Sequence, residues 1–225
     1  MNKLNLKWNI RYISPIKIIK VFVNKFPEIN AIGKVQNKNN NILFEDDSII
    51  VINDLEYNSP LELGTQTWFN GRLRFLVAGY YGNSSGVNDT IYTLPNNIGN
   101  LTDLAILYME WNRISALPES FSNLSSLVSL YLNNNILSTL GDSIGNLNNL
   151  NLLDLGYNEL EEIPESICNL ENVSYLWLFN NNLETLPDCF CNMNLDWNSN
   201  DNFGYPFFAI GANALCDSVA SCVAE

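Results

Sequence analysis

At 225 residues, with 47% hydrophobic and 16% charged side chains, the chain is long enough for one large domain or two small ones and too apolar for wholesale disorder. Its net charge of −13 is split: residues 1–38 hold eight of the eleven basic side chains against Glu28 alone, near +7, while the rest holds three arginines against 23 acids, near −20, a balance that argues against nucleic acid as a partner. Histidine is absent, which removes the commonest general base and metal ligand and any Ser/His/Asp or Cys/His site within the chain, and no apolar run is long enough to predict a spanning helix.

In chain order, residues 1–42 are predicted to be a basic, poorly ordered extension. Lys17 and Lys20 interrupt the apolar run "ISPIKIIKVFV", which makes it a poor secretory signal. Residues 43–72 are assigned to an N-terminal cap. Within it, Ser59 with Glu62 forms a capping box and Pro60 suits a first helical position, so a short helix is expected to press Leu61, Leu63 and Trp68 onto the apolar chain that begins at Leu73.

From Leu104 the chain falls into four rows of 23 residues, beginning "LAILYMEWNRI", "LVSLYLNNNIL", "LNLLDLGYNEL" and "VSYLWLFNNNL". Each follows L-x-x-L-x-L-x-x-N-x-L and continues x-x-L/I-P-x-x-I/F-x-N-L, with Gly141 in place of the proline in the second row. A degenerate row precedes them, with Leu73, Leu76 and Ala78 in its strand and Ile91, Leu94, Pro95, Ile98 and Leu101 in its remainder; "YYGNSSGVND" between them carries about eight extra residues of turn-forming type. The leucines of one row are expected to stack on those of the next, since a single row cannot bury its apolar face alone. Asn112, Asn135, Asn158 and Asn181 stand where each row leaves its strand, and are read as structural donors and acceptors to backbone.

These rows resemble the leucine-rich repeat family. The "LPxSIGNLxxL" wording is closest to the 23-residue type of Ras-binding, plant intracellular and bacterial members. The resemblance covers residues 73 to about 195 and implies an α/β repeat solenoid: a horseshoe with one short parallel strand per repeat on the concave side, loops or short helical turns on the convex side, and a cap at each end.

Residues 196–225 are assigned to an aromatic, cysteine-bearing C-terminal cap. Trp197, Phe203, Tyr205, Phe207 and Phe208 suit a lid over the last leucine layer. All five cysteines lie beyond residue 167. Cys168 and Cys191 hold the same place in successive rows and are expected to be neighbours. Cys216–Cys222 is the candidate disulfide, and it favours a secreted or cell-surface location over a cytoplasmic one. A zinc site from Cys189, Cys191, Cys216 and Cys222 lacks the usual C-x-x-C spacing.

The register places alternate strand residues on the concave side in columns: Phe75, Ile106, Ser129, Leu152, Tyr175; Val77, Tyr108, Tyr131, Asp154, Trp177; Gly79, Glu110, Asn133, Gly156, Phe179; and Tyr80, Trp111, Asn134, Tyr157, Asn180. An aromatic-rich surface with a few carboxylates points to recognition. The expectation is a monomeric, non-enzymatic module without cofactor or metal, binding a protein or peptide through Tyr108, Trp111, Tyr131, Asp154, Tyr157, Tyr175, Trp177 and Phe179. Asp154 and Glu110 would favour a basic feature on the partner. Alternatives are a glycan stacked on the rings or a structural, adhesive surface protein. A terminal tail covering the aromatics is the competing structural reading.

Overall fold

The computed structural model describes residues 36–37, 40–41, 43–45, 48–50, 65–69, 72–80, 90–197 and 199–215. Most of the basic extension, the capping box at Ser59–Glu62, and Cys216 and Cys222 lie outside them.

Two short antiparallel pairs come first: β1 (Gln36–Asn37) with β2 (Asn40–Asn41), and β3 (Leu43–Glu45) with β4 (Ser48–Ile50). A seven-stranded sheet comes next, built from β5 (Thr65–Phe69), β6 (Arg72–Val77), β7 (Ile106–Tyr108), β8 (Ser129–Tyr131), β9 (Leu152–Asp154), β10 (Tyr175–Trp177) and β11 (Phe208–Ala209), neighbours in that order. β6 to β11 are parallel, while β5 runs antiparallel to β6. Trp68 therefore sits in a strand paired along the first repeat, not in the expected helix.

The other side of each coil is a 3-10 turn: Ile98–Asn100, Glu119–Asn123, Asp142–Asn146, Glu165–Asn169 and Asp188–Asn192. Among the described residues these stand where an α/β solenoid would carry helices. Pro118, Pro164 and Pro187 precede three of them, and Gly141 precedes a fourth with the same extended backbone as Pro118. A proline fits there because its fixed φ leads directly into the turn.

The core is one continuous column between sheet and turns. Leu107, Leu130, Leu153 and Leu176 form one buried layer, and Leu132, Leu155 and Leu178 another. Phe121, Ile144, Ile167 and Phe190 fill the layer from the turn side. In a strand this short, alternation puts the leucines inward and leaves the residues between them facing out.

The asparagines bind each coil to the previous one, as expected. Asn158 Oδ1 accepts the backbone N–H of Leu137, and its Nδ2 donates to the carbonyls of Leu132 and Leu155. Asn112, Asn135 and Asn181 repeat the pattern. The same set recurs at Asn213, whose Oδ1 accepts from Leu183 N–H and whose Nδ2 donates to the carbonyls of Leu178 and Ile210. The repeat ladder thus continues past the expected end near residue 195. Phe208 pairs with Leu176, Ala209 with Trp177, and the N–H of Asn180 donates to Gly211. In regular rows the Nδ2 contact to the earlier coil spans 26 residues; at Asn112 it spans 34 and at Asn213 it spans 35, so eight and nine residues are inserted in the first and last rows.

Cys168 is joined to Cys189 by a disulfide with a Cα–Cα distance of 6.1 Å, and Cys191 is disulfide-bonded as well. Row equivalence makes Cys191 the expected neighbour of Cys168; the disulfide partner is Cys189, and adjacent turns face each other in a way that accounts for it. A Cβ added at Gly99 would strike the Ser120 carbonyl, and one at Gly145 would strike the Ser166 carbonyl. Both pairs are 21 residues apart, like Cys168 and Cys189. In these three pairs a residue of one turn meets the residue 21 along.

Candidate functional site: the concave face

The strand pairing confirms the register of the columns: Phe75, Ile106, Ser129, Leu152 and Tyr175 are lateral neighbours, as are Val77, Tyr108, Tyr131, Asp154 and Trp177. The eight candidate ligand residues do not form one uniform surface. They divide into three groups by what already touches them.

The first group is central. The rings of Tyr108 and Tyr131 stack with centroids 4.2 Å apart and an interplanar angle of 5°, and Phe75 meets Tyr108 edge-on at 5.8 Å. Adjacent parallel strands lie about 4.8 Å apart, so a lateral tyrosine pair is already at stacking distance. Asp154, on the next strand, is 5% exposed and uses Oδ1 to accept the N–H of Gly156 at 3.0 Å. Burial pushes its carboxyl up to about 7; the Gly156 N–H opposes this, and the charge of Glu110, itself 8% exposed, adds to it. The Tyr131 hydroxyl is driven above its ordinary range by burial first, then by its hydrogen bond to Tyr108 and the charges of Tyr108, Asp154 and Glu110.

The second group is the rim. Trp111 is 56% exposed and Tyr157 51%, with Tyr80 exposed in the same column. Trp111, Asn134, Tyr157, Asn180 and Ala212 all have φ between 52° and 57°. The first four N–H groups donate to the next coil: Trp111 to Asn133, Asn134 to Gly156, Tyr157 to Phe179 and Asn180 to Gly211. That ladder holds the left-handed conformation. Asparagine tolerates it, whereas bulky aromatics rarely adopt it. Phe179 lies over Gly156, where any Cβ would come within 2.7 Å of its ring, and meets Tyr157 edge-on at 5.3 Å.

The third group is covered. Tyr175 donates its hydroxyl to Asp201 Oδ2 at 3.0 Å and packs on Phe207 at 5.0 Å. Trp177 donates Nε1–H to the Pro206 carbonyl at 2.8 Å and lies 6.1 Å from Tyr205. Burial pushes Asp201 up, but the N–H groups of Tyr205, Phe203 and Gly204 and the Tyr175 hydroxyl more than offset it and hold its carboxyl low. Tyr175 and Trp177 are half-buried anchors for the chain's own C-terminal segment, so for these two the tail-covering reading holds.

Sequence reasoning missed the last repeat and the rim conformation. The last row does leave a signal, Phe208, Ile210, Asn213 and Leu215 at F-x-I-x-x-N-x-L spacing, which the nine inserted residues displace from its period. Among the described residues no cluster of His, Cys, Asp or Glu has metal-site geometry, and no helix is long and apolar enough to cross a membrane.

Residues 129–183 match the family model described as leucine rich repeat. No curated protein matches the chain. Among solved structures, the BIR3–SERK2 complex from Arabidopsis thaliana superposes with a TM-score of 0.52 at 21% identity, over 74% of this chain and 82% of that one. PEPR1–AtPEP1 gives 0.51 at 24%, over 64% and 18%, and an internalin from Listeria monocytogenes gives 0.44 at 24%, over 57% and 34%. The chain spans about a third or less of the first three solved chains it matches. Residues 129–183 belong to the leucine-rich repeat family, and the array they sit in is a leucine-rich repeat solenoid.

Proposed function

We propose that the chain is a non-enzymatic recognition module that docks a protein or peptide on its concave face, through the central tyrosines and the rim. The observation that carries this reading is the rim column. Two of its five left-handed positions hold asparagine, which suits them, and two hold exposed aromatics, which do not. A bulky residue held there costs on the order of 1 kcal/mol. Aromatic side chains kept at such a cost, and in the open, are expected where a partner is bound. BIR3–SERK2, which shares the fold, is a complex of two proteins, and this supports a solenoid surface that docks another chain. The anchors are Tyr108, Trp111, Tyr131, Tyr157 and Phe179; Tyr175 and Trp177 drop out because the chain occupies them itself. The Cys168–Cys189 disulfide supports a secreted or cell-surface location, since such bonds persist in oxidising compartments.

The test compares wild type with the Trp111→Asn/Tyr157→Asn double variant as baits in an extract of the native source, with quantitative mass spectrometry. A partner held by wild type and lost by a variant of unchanged or higher thermal stability supports the reading. Equal retention by both baits refutes it.

A further inference from the structure

We infer that the end of the concave face around Tyr175 and Trp177 is a separate binding site for a protein turn carrying a carboxylate and aromatic side chains, and that the chain's own turn at 199–207 fills it in cis. The inference goes beyond the rim reading and uses neither Trp111 nor Tyr157.

The occupant shows the chemistry of the site. Tyr175 donates its hydroxyl to the Asp201 carboxylate at 3.0 Å, and Trp177 donates its indole N–H to the Pro206 carbonyl at 2.8 Å. The Phe207 ring packs on Tyr175 at 5.0 Å, and the Tyr205 ring lies 6.1 Å from Trp177. Tyr175 and Trp177 themselves meet almost perpendicularly, at 82° and 6.2 Å, so two ring faces and two donor tips form one surface. Such a surface selects acceptors flanked by rings, and a carboxylate is the strongest acceptor a protein can offer it.

Closure of the array falls to other residues. Trp197 and Phe208 each lie 6.1 Å from Phe190 and meet each other at 4.7 Å, and the asparagine ladder resumes at Asn213. The turn lies in the row that carries the nine-residue insertion, and it leaves Phe203 86% exposed, which a lid folded for burial would not do. Its shape is set from within. Asp201 Oδ1 accepts the N–H groups of Phe203 and Tyr205, the Asp201 N–H donates to the Tyr205 carbonyl, the Gly204 N–H donates to the Asp201 carbonyl, and Asn200 pairs with Pro206. A turn organised by its own aspartate needs little from the surface it rests on. It is a preformed ligand held at high local concentration by its tether, and a partner's turn of the same chemistry must displace it.

The experiment frees the site and offers the turn back in trans. In the full chain, residues 201–205 are replaced by Asn-Gly, a two-residue connection that suits the antiparallel Asn200–Pro206 pair. The peptide of residues 199–207, acetylated and amidated, is titrated into this variant while the Trp177 indole N–H is followed by NMR. Saturable shifts that weaken by about tenfold or more with the Asp201→Ala peptide support the site, since a hydrogen bond to a charged group is worth about that factor. In wild type the tethered turn competes, and the response should again be weaker by about tenfold or more. Absence of saturation, an equal response in wild type, or an equal response to the Asp201→Ala peptide overturns the inference. Should the shortened turn disturb the last coil, Asp201→Ala in the full chain keeps the length and removes the turn's organising carboxylate; it takes the same titration and is read the same way. The peptide is tested without any partner of the rim, so its failure leaves the Trp111/Tyr157 comparison standing.

Discussion

Replacing Asn158 by alanine tests the solenoid at its repeating joint. The side chain is 8% exposed and makes three strong contacts: Leu137 N–H to Oδ1 at 3.0 Å, and Nδ2 to the carbonyls of Leu132 and Leu155 at 3.0 Å each. Alanine removes them all and orphans the buried Leu137 N–H, while the Leu132 and Leu155 carbonyls keep the amides of Asn135 and Asn181. The orphaned N–H costs about 1–3 kcal/mol, and each lost carbonyl bond about 0.5–1 kcal/mol because the other lone pair stays engaged. Together they give a loss of roughly 2–5 kcal/mol, a large share of the 5–15 kcal/mol that holds a typical domain. Urea unfolding followed by tryptophan fluorescence, disulfides intact, measures it. Asn158→Asp sharpens the test, because aspartate keeps the acceptor, loses both amide donors and buries a charge. Its deficit should grow as pH rises through the carboxylate range. Asn146→Ala, on an exposed turn residue, should stay within about 0.5 kcal/mol. An Asn158→Ala protein as stable as the Asn146 control would refute the claim that this ladder holds successive coils together.

Three further outcomes are expected. Asp154 binds its proton more tightly folded, near 7, than at its ordinary value of 3.8, so it favours the fold fully below about 4 and that contribution is lost as pH rises through 7; Asp154→Asn should flatten stability between these limits, and a wild-type curve of the same shape would count against the burial argument. Trp177→Phe keeps a ring but loses the bond to Pro206, and should cost about 1 kcal/mol and speed amide exchange at Leu178 and Asn180, which donate to the C-terminal strand; unchanged exchange would mean that the segment is held elsewhere. Gly141→Pro should stabilise by about 0.4–1 kcal/mol, since its backbone matches that of Pro118, whereas Gly145→Ala should destabilise by about 1–3 kcal/mol because its Cβ would lie 2.2 Å from the Ser166 carbonyl; thermal melts of both decide.

The repeat period decides how much of the molecule is legible in the sequence. The positions of Leu130, Leu153 and Asn158 are dictated by contacts that recur every 23 residues, so the register, the core and the eight-residue insertion can all be read from it. Three features depend on relations the period does not hold. The last coil uses Phe208 and Ile210 for leucine and arrives nine residues late. Tyr175 and Trp177 are covered by a segment about 30 residues further on, whose return no local pattern announces. Cys168 meets Cys189 because facing turns are offset by two residues from row equivalence, which alignment of identical positions hides. The rim is legible as a column, but not as left-handed backbone, because tryptophan and tyrosine are among the residues least indicative of that conformation.

The constant separations of the asparagine contacts, 21 residues to the N–H and 26 to the carbonyl in every regular row, amount to a phase rule for the chain. Each coil addresses only its neighbours, as expected of a quasi-one-dimensional stack. A block of 23 residues spliced in between two regular rows would reproduce every contact class with a new partner and lengthen the concave face by one rung, about 4.8 Å. A block of 22 or 24 would have to absorb the odd residue within its own coil, as the eight- and nine-residue insertions do. The array can therefore change its reach in discrete steps without redesigning any joint, while the broken periods at Asn112 and Asn213 mark the two places where growth is out of step with the lattice.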